Sequence, residues 1–428
     1  MPRKKSDARR RYRIAFWIIL AVAVLLRIAY VWVTPWDVRG HDASGHVQYI
    51  QYVIEHRSIP PPGEGFEFYH PPLYYFAAAP ILAGARSAGM TDEMQMRMVQ
   101  GFSLLLSILS LLLVVRIGRR IFPDTLPELL LFYSAVAFLP SNIFFAARIN
   151  NDVLFQFFIF AGCASLLDWW STGRHRSWIY MTLCTALGLL TKTNMVMLIP
   201  VAIACAFAKP KQTWTRRAKL TGVLLGGVAL LSGWFPVLRW LASTDARMII
   251  IGNVDRATGA LPFAWRDFLV FNPLQVLLHP FNEVTGDVTR RSFHWEYIFR
   301  SALYGEFRFP DAFRTIALTM ICAAFALAAF AARRLWHELR SRNWRKTMPM
   351  WLAALVVPAT SAANRLVFPF SSSSDFRYSI LFALPAAYYA TRSLNNDRQG
   401  LRSLHVGCAL SFIVMELLFM AQLLLSGM

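Results

Sequence analysis

The stretch IAFWIILAVAVLLRIAYVWVT, residues 14–34, is an apolar run that carries a single charged residue, Arg27. About 20 apolar residues are the length with which a helix crosses the hydrocarbon core of a membrane. The run follows the basic segment MPRKKSDARRRYR, residues 1–13, and has no small-residue cleavage site. We therefore expect a retained first span with a cytoplasmic N-terminus, and not a cleaved signal peptide.

The composition of the whole chain supports a membrane protein. Of its 428 residues, 56% are hydrophobic and 16% are charged, whereas a soluble chain has about 25% charged residues. The net charge of +20 would suggest nucleic acid in a soluble protein. Here the basic residues mostly lie in short loops between apolar runs, which is typical of membrane orientation, so we expect membrane lipids and no nucleic acid as partners. The five cysteines lie inside apolar runs without a CxxC pair, and this pattern indicates neither disulfides nor a zinc site.

The apolar runs predict an all-α, polytopic protein with about 11 transmembrane helices, placed in the plasma (inner) membrane. Strict alternation makes every predicted cytoplasmic segment basic and puts the C-terminus outside. The segment 71–85 is short for a span, so we expect it to form a juxtamembrane or re-entrant helix. The predicted spans are 14–34, 97–115, 127–147, 153–170, 177–191, 194–208, 218–240, 313–332, 347–364, 378–391 and 403–425.

Two long external segments divide the predicted chain. We expect a basic N-terminus (1–13), a transmembrane module (14–240) with a first external loop at 35–96, an external loop or small cap (241–312), and C-terminal transmembrane helices (313–428). Loops of this length usually carry function. The cap region combines aromatic with charged residues, which fits contacts with sugar or phosphate. It equally fits a small folded cap that takes no part in any reaction. These residues are His279, Glu283, Asp287, Arg290, Arg291, His294, Trp295 and Glu296.

The first external loop holds an acidic residue and two histidines near the membrane. From Asp42 onward the sequence has amphipathic helical spacing, and His46 follows Asp42 by four residues. A carboxylate beside a histidine suits general-base chemistry or metal binding, while Asp42 as a helix N-cap is about equally expected. His70, which precedes two prolines, is a weaker candidate for substrate binding.

Further polar residues recur at the external ends of predicted spans. Arg148, Asn151 and Asp152 lie between two apolar spans, where polar groups usually face a cavity or a partner. The alternative is a short polar turn in which Asp152 caps the next helix. Lys192 and Arg377 lie at outer ends of later spans. Each could be a snorkelling anchor or a ligand of phosphate.

The ordered set of motifs resembles the GT-C superfamily of polyprenyl-phosphate-sugar-dependent glycosyltransferases, which includes protein O-mannosyltransferases and the lipid A aminoarabinose transferase. The motifs that carry the resemblance are GHDASGHVQYIQYVIEHRSIP, HPPLYY, RINNDVLFQF, LGLLTKTNMVMLIP and DFRYSILFALP. The resemblance implies an essential acid in the first external loop, matched by Asp42, and a second acid in the next external turn, matched by Asp152. Some members have two adjacent acids in the first motif, whereas Ala43 follows Asp42 here.

The resemblance also implies what the protein does. The expected reaction is transfer of a sugar from a polyprenyl-phosphate donor to a protein, lipid or glycan acceptor at the external face, with inversion. Asp42 would be the base, with His46 and Asp152 beside it, and Lys192, Arg377 and Arg148 would hold the phosphate, with His70 and Asn151 as further binding residues. No cofactor is certain, a divalent metal is possible, and no metal ligand is assigned. The alternative is a polytopic transporter or lipid flippase, but no internal repeat supports it.

Overall fold

The computed structural model describes residues 2–40, 42–123, 125–242, 261–282, 291–341, 345, 347–392 and 398–427. These residues form helices and connecting segments, and within them there is no β-strand. The all-α prediction is therefore confirmed. Of the cap-region candidates, Glu283, Asp287 and Arg290 lie outside the described residues.

Nine α-helices of very different lengths are present among the described residues of the N-terminal half. They are α1 (Pro2–Val33), α2 (Ala43–His56), α3 (Leu73–Ser87), α4 (Asp92–Ile121), α5 (Leu126–Ala137), α6 (Pro140–Phe144), α7 (Asp152–Thr172), α8 (His175–Leu189) and α9 (Leu198–Ala208). A short 3₁₀ turn extends α6 over Phe145–Ala147, and a second one, Thr193–Met197, precedes α9.

The second half of the chain repeats this mixture of long and short helices. They are α10 (Trp214–Ser232), α11 (Trp234–Ala242), α12 (Arg266–Leu269), α13 (Pro273–Leu278), α14 (His294–Tyr304), α15 (Arg314–Arg340), α16 (Met348–Val367), α17 (Ala383–Thr391) and α18 (Gln399–Ser426). Two 3₁₀ segments, Ser371–Ser374 and Phe376–Phe382, join α16 to α17.

The described residues include six helices that are long and apolar enough to cross a membrane. Two bent pairs, α5 with Pro140–Ala147 (56°) and α10 with α11 (45°), would raise that number to eight. The three remaining predicted spans, 177–191, 194–208 and 378–391, fall on short helices. The multi-pass architecture is confirmed, whereas the count of eleven and the orientation of the termini stay predictions.

Two of the predicted spans are interrupted by irregular backbone that carries polar residues. α8 ends at Leu189 and the chain breaks at Lys192 before the 3₁₀ turn. The 3₁₀ segment Phe376–Phe382 replaces the first turns of the predicted span 378–391. Irregular backbone of this kind is tolerated at membrane depth only where protein or a cavity surrounds it. The break at Lys192 and the 3₁₀ segment Phe376–Phe382 meet, because the Lys192 ammonium lies over the Tyr378 ring.

The two predicted juxtamembrane helices are α2 and α3. Val47 and Ile50 are buried in α2, as its amphipathic pattern requires. α3 begins directly after Pro71 and Pro72, which are compatible with a helix start. α2 packs on α3, and α3 packs on α4, so the first external loop is folded onto the helical bundle rather than extended away from it.

Candidate active site

Four predicted site residues lie at the ends of four different elements. Asp42 immediately precedes α2, Asp152 is the first residue of α7, Lys192 follows α8, and Arg377 lies in the 3₁₀ segment before α17. The fold brings the last three into direct contact, because the Asp152 carboxylate is ion-paired with both Lys192 and Arg377. These residues are distant in sequence, so only the packed bundle assembles them.

Asp152 is the centre of this cluster. Its side chain is buried and accepts a charge-assisted hydrogen bond from the Lys192 ammonium group. Arg377 Nη1 lies 3.5 Å from Asp152 Oδ2, and the Asn150 amide donates to the same oxygen at 3.2 Å. A buried carboxylate with such partners stays ionised, so Asp152 can position the Lys192 and Arg377 side chains.

Tyr378 connects the two cations. The Lys192 ammonium lies 4.5 Å from the centre of the Tyr378 ring, and Arg377 Nη2 donates a hydrogen bond to the Tyr378 hydroxyl at 2.9 Å. Arg377 also has its Nε 3.6 Å from the Asp375 carboxylate. Lys192 and Arg377 are only 4% and 8% exposed. Their burial among these partners is inconsistent with snorkelling anchors and favours a built cationic site.

Asp42 occupies the N-cap position of α2 but does not cap it. Its backbone is left-handed (φ 55°, ψ 26°), and its side chain makes no capping hydrogen bond. A non-glycine residue with positive φ is strained, and such strain clusters at functional sites. Although the side chain is reachable by solvent, partial desolvation raises the pKa of Asp42, and the nearby Glu67 carboxylate raises it further. Asp42 is thus an accessible carboxylate with increased affinity for a proton.

Arg148 and Asn151 flank the cluster and have structural contacts. Arg148 is buried, its Nε donates to the Arg39 carbonyl at 3.1 Å, and its guanidinium lies over Phe145 and Phe307. The Asn151 amide donates to the Thr191 carbonyl at 3.0 Å. Asn151 thereby fixes the turn that carries Lys192 against the start of α7, while Arg148 adds positive charge near Asp152.

The histidines of the first external loop belong to a separate cluster. His46 and His70 both approach Glu67, with Nε2 to Oε2 distances of 3.9 Å and 2.7 Å. The spacing of His46 four residues after Asp42 suggested a shared face, but Asp42 is not helical and His46 Nδ1 contacts the Tyr75 hydroxyl at 2.8 Å instead. Burial lowers the pKa of His46 and of His70 to about 3, so both imidazoles are neutral at pH 7.

The sequence reasoning missed Glu67 and Glu306. Glu67 is buried and precedes His70 by three residues, a Glu-x-x-His pattern that could have signalled a pair. Glu306 lies in the cap region, and the Tyr297 hydroxyl donates a hydrogen bond to it. Burial and the nearby Asp375 carboxylate raise the pKa of Glu306 to about 8. No local sequence pattern marks Glu306. It lies just after α14, and only the packing of that helix brings it near Asp375 and Arg377.

An apolar cavity of about 470 Å³ lies beside the cationic cluster. Tyr378 lines it, and the neighbouring Thr193 follows Lys192 directly in sequence. Its other walls come from the 3₁₀ turn before α9, from α10 and α11, and from α16 and the residue after it, and they include Val196, Met197, Val228, Ala229, Phe235, Pro236 and Phe368. An apolar cavity with buried cations beside one of its lining residues suits a molecule with an apolar tail and an anionic head.

Residues 70–240 match the profile of the family described as dolichyl-phosphate-mannose-protein mannosyltransferase. The structure also aligns with an archaeal oligosaccharyltransferase, AglB from Archaeoglobus fulgidus, in complex with an inhibitory peptide and a dolichol-phosphate, with a TM-score of 0.50 and 12% identity. The chain has the GT-C fold. The resemblance predicted from the motifs is thereby confirmed.

The alignment with the oligosaccharyltransferase covers 95% of this chain but only 55% of the other. The chain therefore spans about half the length of that GT-C protein. A second alignment, with ArnT from Cupriavidus metallidurans bound to undecaprenyl phosphate, has 13% identity and a TM-score of 0.42, and covers 88% of this chain and 77% of that one. No curated protein sequence matches the chain.

Proposed function

We propose that the protein transfers a sugar from a polyprenyl-phosphate donor to an acceptor at the external face of the membrane. The observation that carries this proposal is the apolar cavity that is lined by Tyr378, the residue that contacts the buried cations Lys192 and Arg377. A polyprenyl chain fits the apolar walls, and a phosphate fits the cations, because guanidinium and ammonium groups form charge-assisted hydrogen bonds to phosphate oxygens.

In this proposal Lys192 and Arg377 bind the donor phosphate, and Asp152 positions them. An ammonium has three donors and a guanidinium has five, which is more than the contacts described above for Lys192 and Arg377 use. Arg148 adds positive charge from one side. A directly catalytic role for Asp152, predicted from sequence, is less favoured than positioning, because both of its oxygens already face cations or an amide.

Asp42 is the proposed general base. An acceptor oxygen attacks the anomeric carbon, the bond from that carbon to the phosphate oxygen breaks, and the phosphate leaves with the electron pair. Asp42 takes the proton from the acceptor oxygen as the new bond forms. A single displacement inverts the anomeric centre. The cations stabilise the charge that develops on the leaving phosphate.

The test is sugar transfer by purified protein in nanodiscs. Synthetic polyprenyl-phosphate sugars are supplied with a cell-envelope extract as acceptor, and mass spectrometry follows release of free polyprenyl phosphate. We expect release that depends on the acceptor, and none when the same sugars are supplied as nucleotide diphosphates. Intact donor that merely crosses the bilayer of a proteoliposome would support a flippase and reject the proposal. Envelope glycans and glycoproteins of a deletion strain would then identify the acceptor.

A further inference from the structure

His46, Glu67 and His70 form a compact set of metal-binding groups in the first external loop. One ligand atom from each of the three residues lies within 4.8 Å of the other two. His46 comes from α2, whereas Glu67 and His70 lie in the segment that enters α3. Neutral imidazole nitrogens and a carboxylate oxygen are ligands that zinc prefers, and two histidines with one glutamate form a known three-ligand set.

The distances between the three ligand atoms are close to those of tetrahedral zinc coordination, so the side chains would need to move only a little. Ligand atoms about 2.1 Å from a zinc ion are about 3.4 Å apart in a tetrahedron. The observed separations of Glu67 Oε2 are 3.9 Å to His46 Nε2 and 2.7 Å to His70 Nε2. Shifts of roughly half an ångström to an ångström would bring them to the expected value, and side-chain torsions can supply such shifts.

The surroundings hold this set in place. His46 and Glu67 are buried, and the Tyr75 hydroxyl fixes the other ring nitrogen of His46 at 2.8 Å, which is the usual outer support of a metal-binding histidine. Gly45 allows the Glu67 segment to lie against α2, because a Cβ at position 45 would be 2.7 Å from Glu67 Cγ. Each feature preorganises the three ligand atoms.

We propose that His46, Glu67 and His70 bind one zinc ion, with water at its fourth position. The ion would join α2 to the segment that enters α3, and so fix the loop that presents Asp42. This site lies beside the cluster around Asp152 but uses different residues, and its occupancy does not depend on the function proposed above. The sequence left a divalent metal possible without assigning a ligand, and this proposal names three.

The experiment measures metal in the full-length protein purified in detergent. Elemental analysis is expected to find about one zinc ion per chain after dialysis. X-ray absorption at the zinc edge is expected to show two imidazoles, only nitrogen and oxygen neighbours, and no sulfur. A chain without zinc that neither takes up added zinc nor gains thermal stability from it would overturn the proposal, as would a sulfur-bound ion.

Matched variants locate the ion. Glu67→Gln and His70→Ala are expected to retain less than about a tenth of the zinc, while Glu55→Gln and His56→Ala, at exposed positions near the end of α2, retain all of it. Tyr75→Phe keeps the buried ring and is expected to weaken zinc binding by roughly tenfold to a hundredfold. Folded Glu67→Gln and His70→Ala proteins with full zinc content would also overturn the proposal.

Discussion

At the scale of single residues, Asp42 and Asp152 are two carboxylates with opposite surroundings. Asp152 is buried and held between Lys192 and Arg377, whereas Asp42 is accessible and its side chain does not cap its helix. The pairing favours a positioning role for Asp152 and leaves Asp42 as the proposed base. The two aspartates thus differ because the fold surrounds Asp152 with cations and strains the backbone of Asp42.

Asp42→Asn tests the proposed base. We expect turnover to fall by roughly 10²–10⁴-fold with donor binding retained, because the amide cannot take up a proton. Stability should be unchanged or slightly higher, since the raised pKa of Asp42 means that folding disfavours its ionised form. The measurements are sugar transfer and thermal unfolding, with Asp37→Asn as the control at a nearby exposed aspartate. Wild-type turnover in Asp42→Asn would remove Asp42 from the mechanism.

The pH dependence of sugar transfer by the wild-type protein should also show the raised pKa of Asp42. A base with a raised pKa loses its proton at higher pH than an ordinary carboxyl, whose pKa is about 4. Below that raised pKa the carboxyl is protonated and inactive, so kcat/KM should fall as the pH decreases through it. We expect the acidic limb above about pH 4. A limb at or below an ordinary carboxyl value would contradict the assignment.

Lys192→Met and Arg377→Met test the phosphate ligands. Each charge-assisted contact contributes on the order of 1.5–3 kcal/mol, so either change should weaken donor binding by roughly ten- to a hundredfold. Either change also leaves Asp152 with one cation fewer, and some loss of stability is expected. Asp152→Asn/Lys192→Met removes both charges together and separates the two effects. Unchanged donor affinity in both folded single variants would reduce the two cations to structural partners.

At the scale of elements, the sequence predicted the helices much better than their contacts. α2 and α3 were predicted from amphipathic spacing and from the prolines before α3, and both are present. Asp152, Lys192 and Arg377 were recognised as polar residues at span ends. Their mutual pairing was not predictable, because it depends on how α7, α8 and the segment before α17 pack. Glu67 and Glu306 were missed for the same reason.

The apolar cavity gives an element-scale prediction. Ala229→Phe on α10 adds a ring to the cavity wall and should weaken binding of a long polyprenyl-phosphate donor. A donor with a short prenyl chain should be affected less, because its tail occupies less of the cavity. The matched control is Ala329→Phe, an exposed alanine on α15 that does not line this cavity. Equal losses for long and short donors would place the lipid elsewhere.

At the scale of the whole molecule, the predicted orientation puts Lys211 in the cytoplasm and Glu64 outside. Both side chains are exposed in connecting segments. In intact cells, a membrane-impermeant maleimide should label Glu64→Cys and should label Lys211→Cys only after the membrane is permeabilised. The wild-type chain, with its five cysteines, is the background control. Labelling of Lys211→Cys in intact cells would invert the proposed topology and place the active site on the cytoplasmic face.

The pairing of Asp152 with Lys192 has a consequence for biogenesis. These residues belong to neighbouring elements, α7 and the turn after α8, whereas Arg377 is synthesised much later. The nascent chain can therefore leave the translocon with this carboxylate and ammonium already neutralising each other, which lowers the cost of inserting them. Arg377 joins a preformed pair only when α16 and the segment after it arrive. If Lys192 and Arg377 bind the donor phosphate as proposed, the binding site is complete only after the C-terminal helices have been inserted.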